Sequence, residues 1–163
     1  MLRLQRDEEV TWSGTVRTPL SDQKLRPRMR DGGIPTWIGV GGSPDSVIQA
    51  ARHGLPLMLA VIGGRPQRFA GHVHLYHRAL EQFGHQPQPV GQHSLGLIAD
   101  TDEEAAETWW QYWEPVMNQL AEERGFHKPT PNRYAEEIDS GALYVGSRKP
   151  WQTRSPGQLV SCV

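Results

Sequence analysis

Cysteine is nearly missing from this chain, with one residue, Cys162, among 163. A single thiol closes no internal disulfide, which excludes a stapled secreted scaffold and points to a reducing, cytoplasmic setting. An excess of charge of one sign is missing too: 17 Lys and Arg face 18 Asp and Glu, for a formal net charge of −1. Such a balance gives no electrostatic footprint for nucleic acid or an anionic membrane as partner. Long apolar runs are also lacking. The longest that matters, residues 55–62, falls far short of the ~20 residues a membrane helix needs, and the opening MLRLQRDEEV has no apolar signal core. Absent as well are Gly-x-Ser-x-Gly, His-Glu-x-x-His, Cys-x-x-Cys and Gly-Lys-Ser/Thr. Nucleophilic, zinc and Walker-loop chemistry therefore have no support, and no catalytic or metal-binding residue is assigned.

What is present centres on residues 34–54, IPTWIGVGGSPDSVIQAARHG. Residues 36–40 are β-rich and short, and Gly41-Gly42 removes side chains where the chain turns. Ser43-Pro44-Asp45 then supplies an N-cap, a proline at the first helical position and an acid in the first turn. Free N–H groups at such a helix start are a natural seat for a phosphate, although glycine before a helix is also plain turn chemistry. A dinucleotide fingerprint does not fit, because Pro44 stands where its third glycine belongs and no ribose-binding acid follows the next strand.

The unit repeats. A helix over 44–53 stops at Gly54, and the wholly apolar run 57–62 reads as a strand buried on both faces. Gly63-Gly64 ends it, and Pro66 opens a helix with Phe69, Val73, Tyr76 or His77, and Leu80 at helical spacing. A third strand over 90–99 runs into Asp100-Thr101-Asp102-Glu103-Glu104, a cap followed by the acids that a helix dipole favours. Apolar strands alternating with amphipathic helices demand right-handed crossovers and a parallel sheet, doubly wound or closed into a barrel. All three strands should be neighbours, with both glycine pairs on one rim.

Around these units the rest is simpler. Residues 1–9 read as the last turns of a helix, and 10–30 as a surface connection with one extended piece at 10–12. A helix over 104–125 carries Trp109, Trp110 and Trp113, read as packing, and Pro115 should kink it. Thr130-Pro131 starts a short helix through Ile138, and 142–145 is extended. His72, His74 and His77 invite a metal reading, but only His74 and His77 share a helix face and no cysteine or paired acid completes a site, so a solvated face is expected. Residues 148–163 have no period and no core face and read as an unstructured tail.

Five pieces taken together, TWSG (11–14), IPTWIGVGGSP (34–44), GLPLMLAVIGG (54–64), LIADTDEEAAE (97–107) and ALYVGS (142–147), resemble the bacterial-luciferase-like, flavin-dependent monooxygenase family over residues 1–147. The resemblance implies an α/β fold: a partial (β/α)8 TIM-type barrel, its C-terminal half, with parallel strands and flanking helices. It implies reduced FMN or a deazaflavin as cofactor, oxygen and a small organic substrate, and a flavin reductase as partner of full-length relatives. Cofactor binding maps onto Gly41, Gly42 and Ser43, with Gly63 and Gly64 beside them. Only the family's second half is matched, from the helix before its fifth strand, so no catalytic residue carries over. The chain departs from the family at RKPWQTRSPG, and its open sheet edges are expected to favour association. The alternative from another class is a non-catalytic half-barrel, either a remnant or a piece that needs a partner.

Overall fold

Leu57, Leu59 and Val61 are buried while Met58 and Ala60 between them are only half covered, and this alternation sets the architecture. The computed structural model describes residues 2–27 and 33–148, which fall into two compact units dividing between Thr36 and Trp37.

The first unit opens with a short helix, α1 (Leu2–Arg6), followed by an antiparallel pair, β1 (Val10–Trp12) and β2 (Leu20–Gln23). Residues 10–30 are thus not a plain connection. The second strand escapes sequence reading because LSDQ has no apolar alternation; side chains hold the pair instead. Thr11 Oγ1 donates to Asp22 Oδ1 at 2.8 Å and accepts the Asp22 N–H at 3.1 Å, and Lys24 Nζ meets Glu9 Oε1 at 2.6 Å. Asp22 takes the left-handed region, at φ 46°.

The second unit is a four-stranded parallel sheet with helices against it. In chain order it comprises β3 (Ile38–Val40), α2 (Pro44–Arg52), β4 (Leu57–Val61), α3 (Ala70–Gln82), β5 (Val90–Ala99), α4 (Asp102–Arg124), α5 (Pro131–Asp139) and β6 (Leu143–Ser147). Sheet order equals chain order, β3-β4-β5-β6. β3 begins two residues later than the expected 36–40: the Ile38 N–H donates to the Pro56 carbonyl at 2.9 Å, while before it Thr36 Oγ1 donates locally to the Ile34 carbonyl at 3.0 Å. One 3-10 turn, Pro66–Phe69, precedes α3, and α4 runs unbroken through Pro115.

Two apolar clusters fix the helices. Val40, Leu57, Leu59 and Val61 pack against Val47, Ala50 and Ala51 of α2 and against Val73, Tyr76 and Leu80 of α3. Each fully covered aliphatic side chain contributes about 1.5–3 kcal/mol. Of the two candidates Tyr76 and His77, the core takes Tyr76, whose hydroxyl donates to the Leu55 carbonyl at 2.6 Å. Leu143 and Val145 pack with Ala105, Trp113, Met117 and Tyr134, with Trp109 and Trp110 against them, so the tryptophans are packing groups. The Tyr134 ring meets Trp110 edge-on and Trp113 at a tilt, with centroids 5.0 Å from each, and its hydroxyl donates to the Ala106 carbonyl at 2.9 Å.

The expectation that β4 is buried on both faces is corrected. Its helix-facing residues are covered, but Met58 and Ala60 are partly open and Ile62 beyond them is 40% exposed. An apolar run records only that both faces avoid water in the finished fold. In a closed barrel the second face is covered by strands across the interior; here four strands leave it open. The reading of 148–163 as a tail falls, beyond the exposed Arg148, outside the described residues.

Candidate functional site

Parallel strands end on one side of a sheet, and the register fixes how the ends line up. Val40 pairs with Leu59, which puts Gly41 and Gly42 level with Ala60 and Val61, beside Gly63-Gly64. The two glycine pairs share one rim, as the repeat predicted. β5 runs on past them: Val61 lies opposite Ser94, and residues 95–99 continue the strand ~16 Å further along its axis. The acids of 100–104 therefore stand well away from the glycine turns.

At the first turn Gly42 has φ 139°, a conformation side chains rarely adopt. A β-carbon added at Gly41 or Gly42 would meet nothing within 4 Å, so the turn faces open space. Ser43 is the N-cap of α2, with φ −84° and ψ 119°, but its side chain caps no N–H, and Pro44 follows at the first helical position. The N–H groups of Ser43, Asp45 and Ser46 find no acceptor among the described residues. Three donors at the positive end of a helix can hold an anion. Asp45 opposes this with its own charge in the first turn, while Arg65 and Arg68 at the start of the following helix favour it.

The second turn is more closed. Gly63 (φ 64°) and Gly64 (φ 140°) are both left-handed. A β-carbon on Gly63 would touch the Phe126 ring at 3.7 Å, and one on Gly64 would reach Arg68 Nη1 at 2.6 Å. Arg68 Nη1 donates to the Gly63 carbonyl at 3.3 Å, so anything approaching this turn meets a guanidinium. Gly41, Gly42 and Ser43 thus share one open face, whereas Gly63 and Gly64 lie beneath side chains of their own chain.

Two residues that sequence reasoning left out belong to this rim. His72 Nε2 lies 3.0 Å from the Gly42 carbonyl, which corrects its reading as part of a solvated face. His74 is exposed, and His77 is half-buried with its Nε2 unpartnered. Arg68 and His72 are four residues apart, and that spacing after a glycine pair was the available signal. Among the described residues no three His, Cys, Asp or Glu side chains converge as a metal site would require.

An open cleft of about 380 Å³ lies at the ends of β5 and β6, lined by Asp100, Asp102 and Glu103 with Ser147 and Arg148. Its carboxylates disfavour an anion. Asp102 Oδ1 accepts the Ser147 N–H at 2.5 Å, tying the end of β6 to the start of α4, where Thr101 Oγ1 caps the Glu104 N–H at 3.1 Å. A second cleft, about 420 Å³, lies between Arg65 and Gln67 on one side and Glu136, Asp139 and Ser140 on the other. The shifted titrations belong to the cores: burial pushes the phenols of Tyr76 and Tyr134 up to about 12.

No helix among the described residues is long and apolar enough to cross a membrane. No curated protein matches the chain. Solved structures do. Monooxygenase RslO1 from Streptomyces bottropensis superposes with a TM-score of 0.70 at 22% identity, over 89% of this chain and 43% of its own. The oxygenating constituent of 3,6-diketocamphane monooxygenase from Pseudomonas putida, solved with FMN, gives 0.62 at 15% identity over 96% and 49%. An F420-dependent secondary alcohol dehydrogenase, solved with an F420-acetone adduct, gives 0.60 at 16% over 90% and 45%. At these identities the likeness is one of fold, and the chain spans less than half the length of each of these structures. The sheet accordingly has the arrangement of half a (β/α)8 barrel. The family model described as luciferase-like monooxygenase matches residues 1–153, and the chain belongs to that family.

Proposed function

We propose that this chain is the C-terminal half of a flavin-dependent oxidoreductase barrel of the luciferase-like class, using reduced FMN or a deazaflavin on a small organic substrate in the cytoplasm. The observation that carries the reading is the open glycine turn at the C-terminal end of β3, within a sheet of the family's parallel topology. Ligands of (β/α)8 barrels bind at that end of the strands. Similar structures solved with FMN and with an F420 adduct support a flavin-type cofactor.

The turn itself fits such a group. Three free N–H donors and two positions without side chains suit a terminal phosphate, so Gly41, Gly42 and Ser43 would hold it, with Arg68 at the flank supplying positive charge. The bound flavin would supply the redox chemistry; the residues here bind and orient its phosphate. The isoalloxazine ring has less to rest on, because Met58, Ala60 and Ile62 form only one wall. Affinity should therefore be weak, since a partial pocket loses contacts while the ordering cost remains. The open sheet edges favour a second reading, in which the chain is a non-catalytic half-barrel or works only with a partner that closes it.

Titration of the purified chain with FMN and with phosphate tests the site. Weak binding is expected, and Gly41→Val and Gly42→Val should each abolish it. Gly42→Val also strains the backbone at φ 139°, so Gly41→Val, which only fills open space, is the decisive variant. Tight flavin binding untouched by Gly41→Val would place the ligand elsewhere.

A further inference from the structure

Four parallel strands whose order in the sheet equals their order in the chain extend in one sense only, each new strand joining the free side of the last. In a closed (β/α)8 ring eight strands share one full turn, so four of them take half of it. Half a turn is what a twofold rotation supplies. A second copy turned about the barrel axis brings its β3 beside β6 of the first and its β6 beside β3, with all strands parallel. Both free edges are then paired at once, and no edge is left to recruit a third copy. An antiparallel pairing of like edges would instead leave two outer edges and both open faces in water.

The enclosed surface suits such a ring. Val40, Leu57, Leu59 and Val61 face α2 and α3, so Gly39, Met58 and Ala60, which alternate with them, face the other way. A β-carbon on Gly91 would meet Met58 Cε at 2.7 Å and Trp37 Cζ3 at 3.2 Å, which places the 40% exposed Trp37 on the face of Met58. These are uncharged side chains, of the kind that fill a barrel interior. The outer strands β3 and β6 carry no charge either, and a formal net charge of −1 leaves little repulsion between copies. Because this chain covers 43%, 45% and 49% of the three solved structures, two copies together amount to nearly one whole barrel.

We propose that a second copy of this chain covers the open face, and that the homodimer closes an eight-stranded ring through two β6–β3 pairs. The partner left unspecified in the half-barrel reading above is thereby a second copy, and the inference rests on the half-barrel topology of that reading and not on flavin binding.

Sedimentation equilibrium of the full chain, without ligand, tests closure: the average mass should rise with concentration and level off at twice the chain mass. Growth past the dimer means that the edges run on as an open polymer, and a chain that stays monomeric at every concentration leaves the face to a different protein. Either result overturns the proposal. Strand pairing is read with a short bismaleimide in a Cys162→Ser background. Gly39→Cys and Tyr144→Cys chains, mixed, should cross-link several-fold more than either alone, because β3 meets β6 while each strand is held from its own counterpart by the width of the barrel. Cross-linking of either chain alone that equals or exceeds that of the mixture overturns the ring. Should Tyr144→Cys fail to fold, Ser147→Cys on the same strand takes its place, since sulfur for oxygen is the whole change. Neither readout involves FMN or phosphate, so a chain that binds neither can still close, and one that stays monomeric can still bind.

Discussion

At Gly96 a β-carbon would run into the backbone carbonyl of Tyr144 on the neighbouring strand, whereas at Gly39 it would meet nothing within 4 Å. Neither glycine has a left-handed φ, so the difference is one of space alone. Gly96→Ala must push β6 away from β5 or bend one of them, and backbone yields less readily than a side-chain tip. We expect it to destabilise the fold by about 1–3 kcal/mol, the usual cost of overpacking. Gly39→Ala should stay within about 0.5 kcal/mol. Denaturant melts of the two variants make the comparison, and equal midpoints would mean that β5 and β6 are not packed this closely. From sequence these glycines look alike. Their spacing marks a place where a side chain is unwelcome but not whether a ligand, a turn or a neighbouring strand is the reason. For the same cause Gly41 and Gly63, equivalent in the repeat, turn out open and covered respectively.

Helices α2, α4 and α5 were legible because their ends carry local chemistry. Pro44 and Pro131 sit at the first helical positions, Thr101 and Thr130 cap through their hydroxyls, and Gly125 closes α4 at φ 69°. Each signal acts within a few residues and needs no tertiary partner. β2 was not legible, because the Thr11–Asp22 and Glu9–Lys24 pairs that hold it join positions eleven to fifteen residues apart. The choice of Tyr76 over His77 was also hidden, since helical spacing allows both and only the Leu55 carbonyl decides. That buried phenol gives a pH dependence at the scale of α3. Tyr76 and Tyr134 titrate near 10 when unfolded and near 12 when folded. A raised folded value means their contribution is complete below pH 10 and is lost as pH rises through about 12. Thermal midpoints should hold from neutral pH to about 10 and then fall steeply. Tyr76→Phe should lower the neutral midpoint, because the Leu55 carbonyl loses its donor at a cost of about 1 kcal/mol, and should soften the alkaline fall. An alkaline profile unchanged in Tyr76→Phe would show that another group carries the transition.

At the scale of the molecule, the sheet has two outer edges and one uncovered face. Among the described residues no strand pairs with the outer side of β3 or of β6. Ile62 and Ile98 are 40% and 57% exposed, and Trp37 is 40% exposed where it approaches Met58 and Gly91. Unpaired N–H and C=O groups along a strand are a template for another strand, and adjacent apolar surface adds a driving force. Natural sheets blunt such edges with lysine, proline or bulges. β3 (Ile38–Val40) and β6 (Leu143–Ser147) carry no charged residue and no proline. The length of the solved relatives fits the same picture, because more than half of each lies outside the alignment with this chain. We therefore expect the isolated chain to associate through these edges. Sedimentation velocity over a hundredfold range of concentration should show the average mass rising. Lysine placed at Gly39 and at Tyr144, one on each outer strand, should reduce that rise, since like charges at an edge repel an incoming strand. A monomer mass independent of concentration would show that the edges are already protected, and a rise unaffected by the lysines would move the contact to another surface, with the exposed Tyr112 and Val116 of α4 the next to be substituted.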